Sequence, residues 1–122
     1  MAPIRIMVVE DETLLGVLFG EVLEGMGYVV CAIVATEADA VTAAIRCKPD
    51  LMLVDVQLGI GSGVSAVAEI LRKGFVPHVF YSGDISGVKA SRPNAIAIQK
   101  PFRVPELAQA IERALGASTQ EA

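Results

Sequence analysis

The sequence predicts a single doubly wound α/β domain, in which helices cover both faces of a five-stranded parallel sheet. Its 122 residues supply the material of one average domain. Short, almost wholly apolar runs recur along the chain, and such runs suit strands that are buried on both faces. Helical patterns alternate with them, which is typical of parallel sheets with right-handed crossovers. The predicted strands are residues 4–9, 28–34, 51–54, 76–81 and 95–98.

The first two helices follow from apolar spacing and from their end signals. Residues 15–26 carry an apolar stripe at helical spacing, and Gly27 follows it. The second helix begins at Thr36, where Asp39 three residues later completes a capping-box pattern. Pro49 marks its end.

The later helices are less regular. Residues 64–73 and 105–116 carry clear helical stripes, and the second of these ends at a glycine. Between them, glycine, serine and proline residues interrupt the pattern, leaving at most a short helix around residues 85–90. We expect the small and polar residues 117–122 to form a flexible C-terminal tail after a domain of residues 1–116.

Composition excludes several classes of protein. Ten Lys and Arg residues against 14 Asp and Glu give a net charge of −4, so direct nucleic-acid binding is not expected. The two cysteines, Cys31 and Cys47, are too few for a disulfide framework and are interpreted as buried reduced thiols. The chain start lacks a signal peptide, and no apolar run approaches the ~20 residues that span a membrane. We expect a soluble, cytoplasmic protein.

Polar residues follow four of the five apolar runs, at the strand ends where open parallel sheets bind ligands. If the first and third strands are neighbours, the carboxylates of Glu10, Asp11 and Asp55 converge there and repel one another unless a cation joins them. Carboxylates and water are preferred ligands of Mg²⁺, so the sequence predicts a divalent-metal site. With Lys100 and the Ser82 hydroxyl nearby, the cleft has the chemistry of phosphoryl transfer to Asp55.

Four motifs, in this order and at this spacing, resemble the receiver domain of response regulators in two-component signalling. They are VVEDE at residues 8–12, LVDVQL at 53–58, FYSG at 80–83 and KPF at 100–102. The resemblance covers nearly the whole chain and implies the flavodoxin-like (βα)5 receiver fold. It also implies that the protein is a phosphoprotein that catalyses only its own phosphorylation and dephosphorylation.

The resemblance implies a role for each site residue. Asp55 is the phospho-acceptor, Glu10, Asp11, Asp55 and the backbone carbonyl of Gln57 hold Mg²⁺, Ser82 is the switch hydroxyl, and Lys100 pairs with the phosphoryl group before a cis-proline at Pro101. The implied partners are a histidine kinase or histidine phosphotransfer protein, which supplies the phosphoryl group, and an unknown downstream protein. Tyr81, beside Ser82, is interpreted as core or strand-end packing.

Three departures from the family pattern are informative. Glu10 stands where the first acid is usually Asp, and the glycines of residues 59–63 make the loop after the acceptor unusually free. Ala97 replaces the Tyr or Phe that normally swings inward on phosphorylation. We therefore expect any signal to pass through the backbone of residues 83–94, which have few apolar anchors.

Three alternative functions remain open at this point. A degenerate receiver would bind partners without phosphorylation, which Ala97 and the short fourth helix make conceivable. A Mg²⁺-dependent aspartyl-phosphate phosphatase would need a second Asp two residues after Asp55, where Gln57 stands. A flavin-binding protein of the same topology would need a phosphate-cradling loop after the first strand, where residues 10–12 are acidic instead.

Overall fold

The computed structural model describes the backbone of residues 2–121 and the side chains of residues 2–116. Within this range strands and helices alternate strictly, and all strand pairs are parallel in the order β2-β1-β3-β4-β5. The predicted doubly wound α/β fold is therefore confirmed. The strands are β1 (Arg5–Val9), β2 (Val29–Val34), β3 (Leu51–Asp55), β4 (His78–Ser82) and β5 (Ala97–Gln99). The helices are α1 (Thr13–Gly25), α2 (Glu37–Cys47), α3 (Gly63–Leu71), α4 (Ser86–Ser91) and α5 (Val104–Glu121).

Each strand feeds two separate apolar cores because successive side chains point to opposite faces of a sheet. In β1, Ile6 and Val8 pack with α1 and α5, whereas Met7 and Val9 pack with α2 and α3. All four side chains are buried. Double-sided burial explains why the strands are uniformly apolar rather than alternating in polarity.

The ends of the elements agree with most of the sequence signals. The Thr36 hydroxyl accepts a hydrogen bond of 3.1 Å from the Asp39 amide, as the capping pattern predicts. The fourth strand begins at His78 rather than at residue 76, since the intervening Pro77 has no N–H to give to a neighbouring strand. The short fourth helix is present as α4.

The predicted end of the last helix is wrong. Helix α5 passes through Gly116 and continues to Glu121. A glycine ends a helix when it adopts the left-handed conformation, and Gly116 is not among the residues with positive φ. The side chains of residues 117–122 are outside the part of the chain that the structure describes, so the flexible tail expected there stays a prediction.

The two cysteines are free but only half-buried, so the expected full burial is corrected. The Cys47 thiol donates to the Cys31 carbonyl at 3.4 Å. Burial, together with the neighbouring Cys47, raises the pKa of the Cys31 thiol to about 11, which disfavours the reactive thiolate. In the described part of the chain, no helix is both long and apolar enough to cross a membrane.

We predict that His78 weakens the fold in mild acid. Its half-buried ring packs between Phe75 and Phe80, and Nδ1 donates to the Val76 carbonyl at 2.8 Å. Burial, with the nearby charge of Arg92, lowers the pKa of His78 below 6.5. Below pH 6.5 the unfolded chain therefore takes up a proton that the folded state resists. The free energy of unfolding thus decreases as the pH is lowered.

The measurement is urea unfolding of the wild type and of His78→Phe between pH 7.5 and pH 5.5. The wild type should lose more free energy of unfolding over this interval than the variant, because the variant has an aromatic ring at this position but no titrating group. A difference between the two proteins that is independent of pH would contradict the assignment.

Candidate functional site

The acidic residues predicted to converge do so at the carboxyl edge of the sheet. Strand order reverses between β1 and β3, and this places Glu10 and Asp11 beside Asp55. One carboxylate oxygen of each residue lies within 4.8 Å of the other two. Glu10 and Asp55 are buried, with exposures of 3% and 4%, and Asp11 is exposed. The cluster thus opens to solvent on the Asp11 side.

Asp55, the last residue of β3, has both oxygens engaged. Oδ1 accepts the Gln57 amide at 3.0 Å, and Oδ2 lies 3.1 Å from the Lys100 ammonium. The Lys100 side chain is one-third exposed, so this ion pair lies at the mouth of the site rather than deep in the core. The two contacts hold the carboxylate in one orientation and supply one positive charge against three negative groups.

Glu10 is held by two donors. Its Oε2 accepts the Glu12 amide at 2.9 Å, and its Oε1 accepts the Tyr81 hydroxyl at 2.7 Å. Burial raises the pKa of Glu10, and the charge of Asp55 adds to the increase. The hydrogen bonds from Tyr81 and Glu12 oppose it. The pKa of Glu10 therefore rises despite two donors, because burial, assisted by the charge of Asp55, outweighs these hydrogen bonds.

The donor set fits a hard divalent cation. Three carboxylates contribute only oxygen ligands, which Mg²⁺ prefers, and Lys100 leaves a net negative charge that a cation would offset. Gln57 is the second residue after β3, and its amide donates to Asp55. The role of its carbonyl as a metal ligand stays a prediction.

The loop after β3 is held firmly, contrary to the freedom that its glycines indicated. The Gly59 amide donates to Asp11 Oδ2 at 2.7 Å, and the Ser62 amide donates to Glu37 Oε1 at 3.0 Å. Gly61 has φ +86°, and a Cβ there would lie 2.6 Å from the Cβ of Glu37. Close approach and a left-handed turn, rather than mobility, require the glycine.

Lys100 connects the last two strands to the acidic cluster. Its amide donates to the Ser82 carbonyl at 2.8 Å, and the Lys100–Pro101 peptide bond is cis, as the resemblance implied. Its ammonium lies 4.9 Å from the centre of the Tyr81 ring. Lysine and ring thus face each other beside Asp55.

Ser82 reaches the same edge of the sheet, but its hydroxyl is engaged elsewhere. It is 1% exposed, accepts the Asp84 amide at 3.1 Å and donates to the Asp84 carbonyl at 3.2 Å. The loop that follows is held by Gln99, whose Oε1 accepts the Ile85 amide at 3.1 Å and whose Nε2 donates to the Gly83 carbonyl. Ser82 and the loop are thereby held in one arrangement.

Sequence reasoning missed Tyr81 and Gln99. Tyr81 is fully buried, as the packing interpretation requires, yet its hydroxyl reaches the acidic cluster. A signal was available, because a buried tyrosine hydroxyl usually finds a partner and Tyr81 precedes a strand end where Glu10 is near. For Gln99 no such signal existed, since its contacts depend on the path of the loop.

Comparison with known proteins finds the same resemblance over most of the chain. Residues 6–112 match the model of the response regulator receiver domain. The phyllosphere-induced regulator PhyR of Methylorubrum extorquens is 34% identical over 91% of this chain and 43% of that protein. The transcriptional regulatory protein PdtaR of Mycobacterium tuberculosis is 33% identical over 93% of this chain and 57% of that protein. The chain thus spans about half the length of these curated relatives.

Solved structures with the same fold include two PhyR proteins. The receiver domain of Erythrobacter litoralis PhyR superposes with a TM-score of 0.85 and 29% identity, covering 94% of this chain and 92% of that one. Brucella abortus PhyR gives 0.88 and 29%, covering 98% of this chain and 51% of that one. The sheet and helices described above are therefore those of receiver domains.

We predict that Gly63→Ala destabilises the protein strongly. A Cβ at this position would lie 2.0 Å from the Asp55 carbonyl oxygen and 2.7 Å from Val54 Cγ1, so the backbone of β3 must shift. Overpacking of this kind costs about 3 kcal/mol of unfolding free energy. Urea unfolding should show this loss.

The matched control is Gly25→Ala, where an added Cβ meets no atom within 4 Å. Gly25 ends α1 and lacks a positive φ, so its replacement should leave the free energy of unfolding unchanged or raise it by less than about 1 kcal/mol. Equal stability of the two variants would show that the close approach at Gly63 is not a constraint.

Proposed function

The chain belongs to the response regulator receiver family, and from that premise we propose that Asp55 accepts a phosphoryl group in a Mg²⁺-dependent reaction. The observation that carries the proposal is the placement of the Asp55 carboxylate. It lies 3.1 Å from the Lys100 ammonium and within 4.8 Å of an oxygen of Glu10 and of Asp11. The residues to which the resemblance assigns the acceptor, the metal-binding acids and the lysine thus lie together at the carboxyl edge of the sheet.

The chemistry follows from these contacts. An Asp55 oxygen attacks phosphorus, a new O–P bond forms, and the bond to the donor breaks, which for a phosphohistidine is N–P. The Gln57 amide and Lys100 hold the carboxylate for this attack, and the lysine charge balances that of the incoming group. Mg²⁺, held by Glu10, Asp11, Asp55 and the Gln57 carbonyl, would supply charge neutralisation on the transferred group.

The surface beside Lys100, formed by α1 and the start of α5, exposes large apolar side chains. Beside Lys100, Leu18 and Val104 are 47% and 52% exposed, and Leu14 is 69% exposed. Large apolar side chains clustered on a surface mark interaction sites. We propose that the histidine kinase or histidine phosphotransfer protein docks on this α1–α5 side.

The output step starts from Ser82. Once Asp55 carries a phosphoryl group, the Ser82 hydroxyl exchanges its contacts with Asp84 for a phosphoryl oxygen. The loop at residues 83–85 then shifts together with Gln99, because Ser82 contacts Asp84 in the middle of this loop and Gln99 contacts Gly83 and Ile85 at its two ends. The proposed output face comprises residues 83–94, β5 and the exposed side of α5, where a downstream protein binds.

The alternatives lack a supporting observation in the described site. A degenerate receiver would not need Lys100 directed at Asp55, yet the pair is formed. The phosphatase reading still lacks its second acid, since Gln57 occupies that position. PhyR and PdtaR are named as regulators rather than enzymes, which supports a role in signalling for this chain.

The first test of the proposal is phosphorylation of Asp55. Wild-type protein with Mg²⁺ and a small phosphodonor should gain the mass of one phosphoryl group, and Asp55→Asn should gain none, because the amide is not a nucleophile. Excess chelator should abolish the gain, since three carboxylates otherwise repel the phosphoryl dianion. Intact-mass spectrometry measures all three samples.

The control variant is Asp50→Asn, an exposed carboxylate that precedes β3 at the end opposite the cluster and accepts the Arg5 amide at 2.9 Å. It should be labelled as fully as the wild type. Labelling that persists in Asp55→Asn or in chelator would reject the proposed acceptor or the proposed metal dependence.

The second test concerns the output segment. Amide hydrogen exchange in residues 83–94 should slow on phosphorylation of the wild type, because Ser82 then anchors the segment to Asp55. Ser82→Ala should accept the phosphoryl group almost as well but show little slowing. Mass spectrometry of peptides from labelled and unlabelled protein gives the comparison.

Two results would count against this output route. Equal slowing in the wild type and Ser82→Ala would remove the switch role of the hydroxyl. Changes confined to α1 would place the output face elsewhere on the domain.

A further inference from the structure

Tyr81 touches both chemical halves of the site. Its hydroxyl donates to Glu10 Oε1 at 2.7 Å, and its ring centre lies 4.9 Å from the Lys100 ammonium. Glu10 belongs to the acidic cluster, and Lys100 pairs with the acceptor Asp55. The Tyr81 side chain therefore contacts both Glu10 of the acidic cluster and Lys100.

The ring of Tyr81 is fixed by its neighbours. The Phe19 ring lies 5.0 Å away and the Phe102 ring 6.0 Å away, centre to centre, at inclinations of 59° and 64°. Tyr81 has no solvent exposure. The hydroxyl is therefore delivered to Glu10 by a rigid, fully packed side chain, with little conformational freedom left to lose.

Packing alone does not account for the hydroxyl. A phenylalanine would fill the same space between the two aromatic rings, and a buried hydroxyl costs free energy unless it is hydrogen-bonded. Burial raises the pKa of Tyr81 far above its usual range, and Glu10 adds to the increase, so the group stays a proton donor. Its acceptor is a carboxylate, which makes the hydrogen bond charge-assisted.

The length of Glu10 matches the reach of Tyr81. The two Glu10 oxygens are shared between the Glu12 amide and the Tyr81 hydroxyl. An aspartate would be one methylene shorter and would draw the carboxylate back from a hydroxyl that its rigid ring cannot bring closer. Glu10 and Tyr81 are therefore matched in size.

We propose that Tyr81 is a positioning residue of the phosphorylation site, whose hydroxyl fixes the Glu10 carboxylate for Mg²⁺ while its ring backs Lys100. The proposal rests on the proposed function, because it concerns the same metal site. It goes beyond the roles that the receiver motifs imply, since none of these motifs gives a role to Tyr81, the residue before Ser82.

The test compares Mg²⁺ affinities of the wild type, Tyr81→Phe and Tyr28→Phe by isothermal titration calorimetry. Loss of a partner that orients a metal ligand typically weakens metal binding 10-fold to 100-fold. Tyr81→Phe should therefore bind Mg²⁺ about tenfold more weakly. Tyr28→Phe, which removes the other tyrosine hydroxyl, should bind like the wild type.

A double-mutant cycle with Glu10→Asp separates positioning from packing. If the hydroxyl acts through Glu10, Tyr81→Phe should change Mg²⁺ affinity less than about twofold once Glu10 is shortened. An undiminished tenfold effect in the Glu10→Asp background would overturn the proposal. Thermal unfolding of each variant shows that the fold is retained.

Tyrosine fluorescence supplies a second readout that packing alone would not move. The chain has no tryptophan, so in Tyr28→Phe the emission comes from Tyr81. Mg²⁺ should change this emission as Glu10 redistributes charge between the hydroxyl and the ion. An emission that is unaffected by saturating Mg²⁺ would contradict the contact.

The failures are distinguishable. If the wild type binds Mg²⁺ and Tyr81→Phe binds it equally well or more tightly, the role of Tyr81 is wrong and the proposed function stands. If the wild type binds no Mg²⁺, both are overturned.

Discussion

Mutual repulsion among Glu10, Asp11 and Asp55 is the constraint around which the carboxyl edge of this domain is organised. Three carboxylates with oxygens inside 4.8 Å, two of them buried, are unfavourable unless other groups balance them. The chain supplies one ammonium, one hydroxyl and three backbone amides for this purpose. A negative excess remains. This excess favours the binding of a cation, which is what the proposed function requires of the acidic cluster.

The sheet holds this cluster at its carboxyl edge, on top of a rigid apolar core. Below the site, both faces of β1 and β3 are sealed by apolar side chains, and this rigid base keeps the carboxylates from moving apart. Above it, Gly63 lets the loop return within contact of the Asp55 backbone, which a larger residue would prevent. The apolar cores and the loop at Gly63 thus enclose the cluster on two sides, and the side of Asp11 stays open to solvent.

Much of the fold and of the site could be predicted from the sequence, because both follow from short-range patterns. Apolar runs and helical stripes predict the strands and helices, and the strand-end acids Glu10, Asp11 and Asp55 converge provided that β1 and β3 are neighbours, as they are in the sheet. The path of α5 through Gly116 and the firmness of the loop at Gly61 could not be predicted, since they depend on backbone angles and on close approaches between distant segments. The contacts of Gln99 likewise could not be predicted, because they depend on the path of the loop at residues 83–85.

Ala97 has a thermodynamic consequence for signalling. It lies opposite the buried Phe80, so β5 offers no large ring at that position to move between solvent and core. The proposed switch instead exchanges polar contacts of Ser82 and Gln99, which changes little apolar area. Heat-capacity changes follow apolar burial, so activation of this domain should carry only a small one. The enthalpy of switching would then be nearly constant with temperature, so the logarithm of the ratio of active to resting forms should vary linearly with reciprocal temperature.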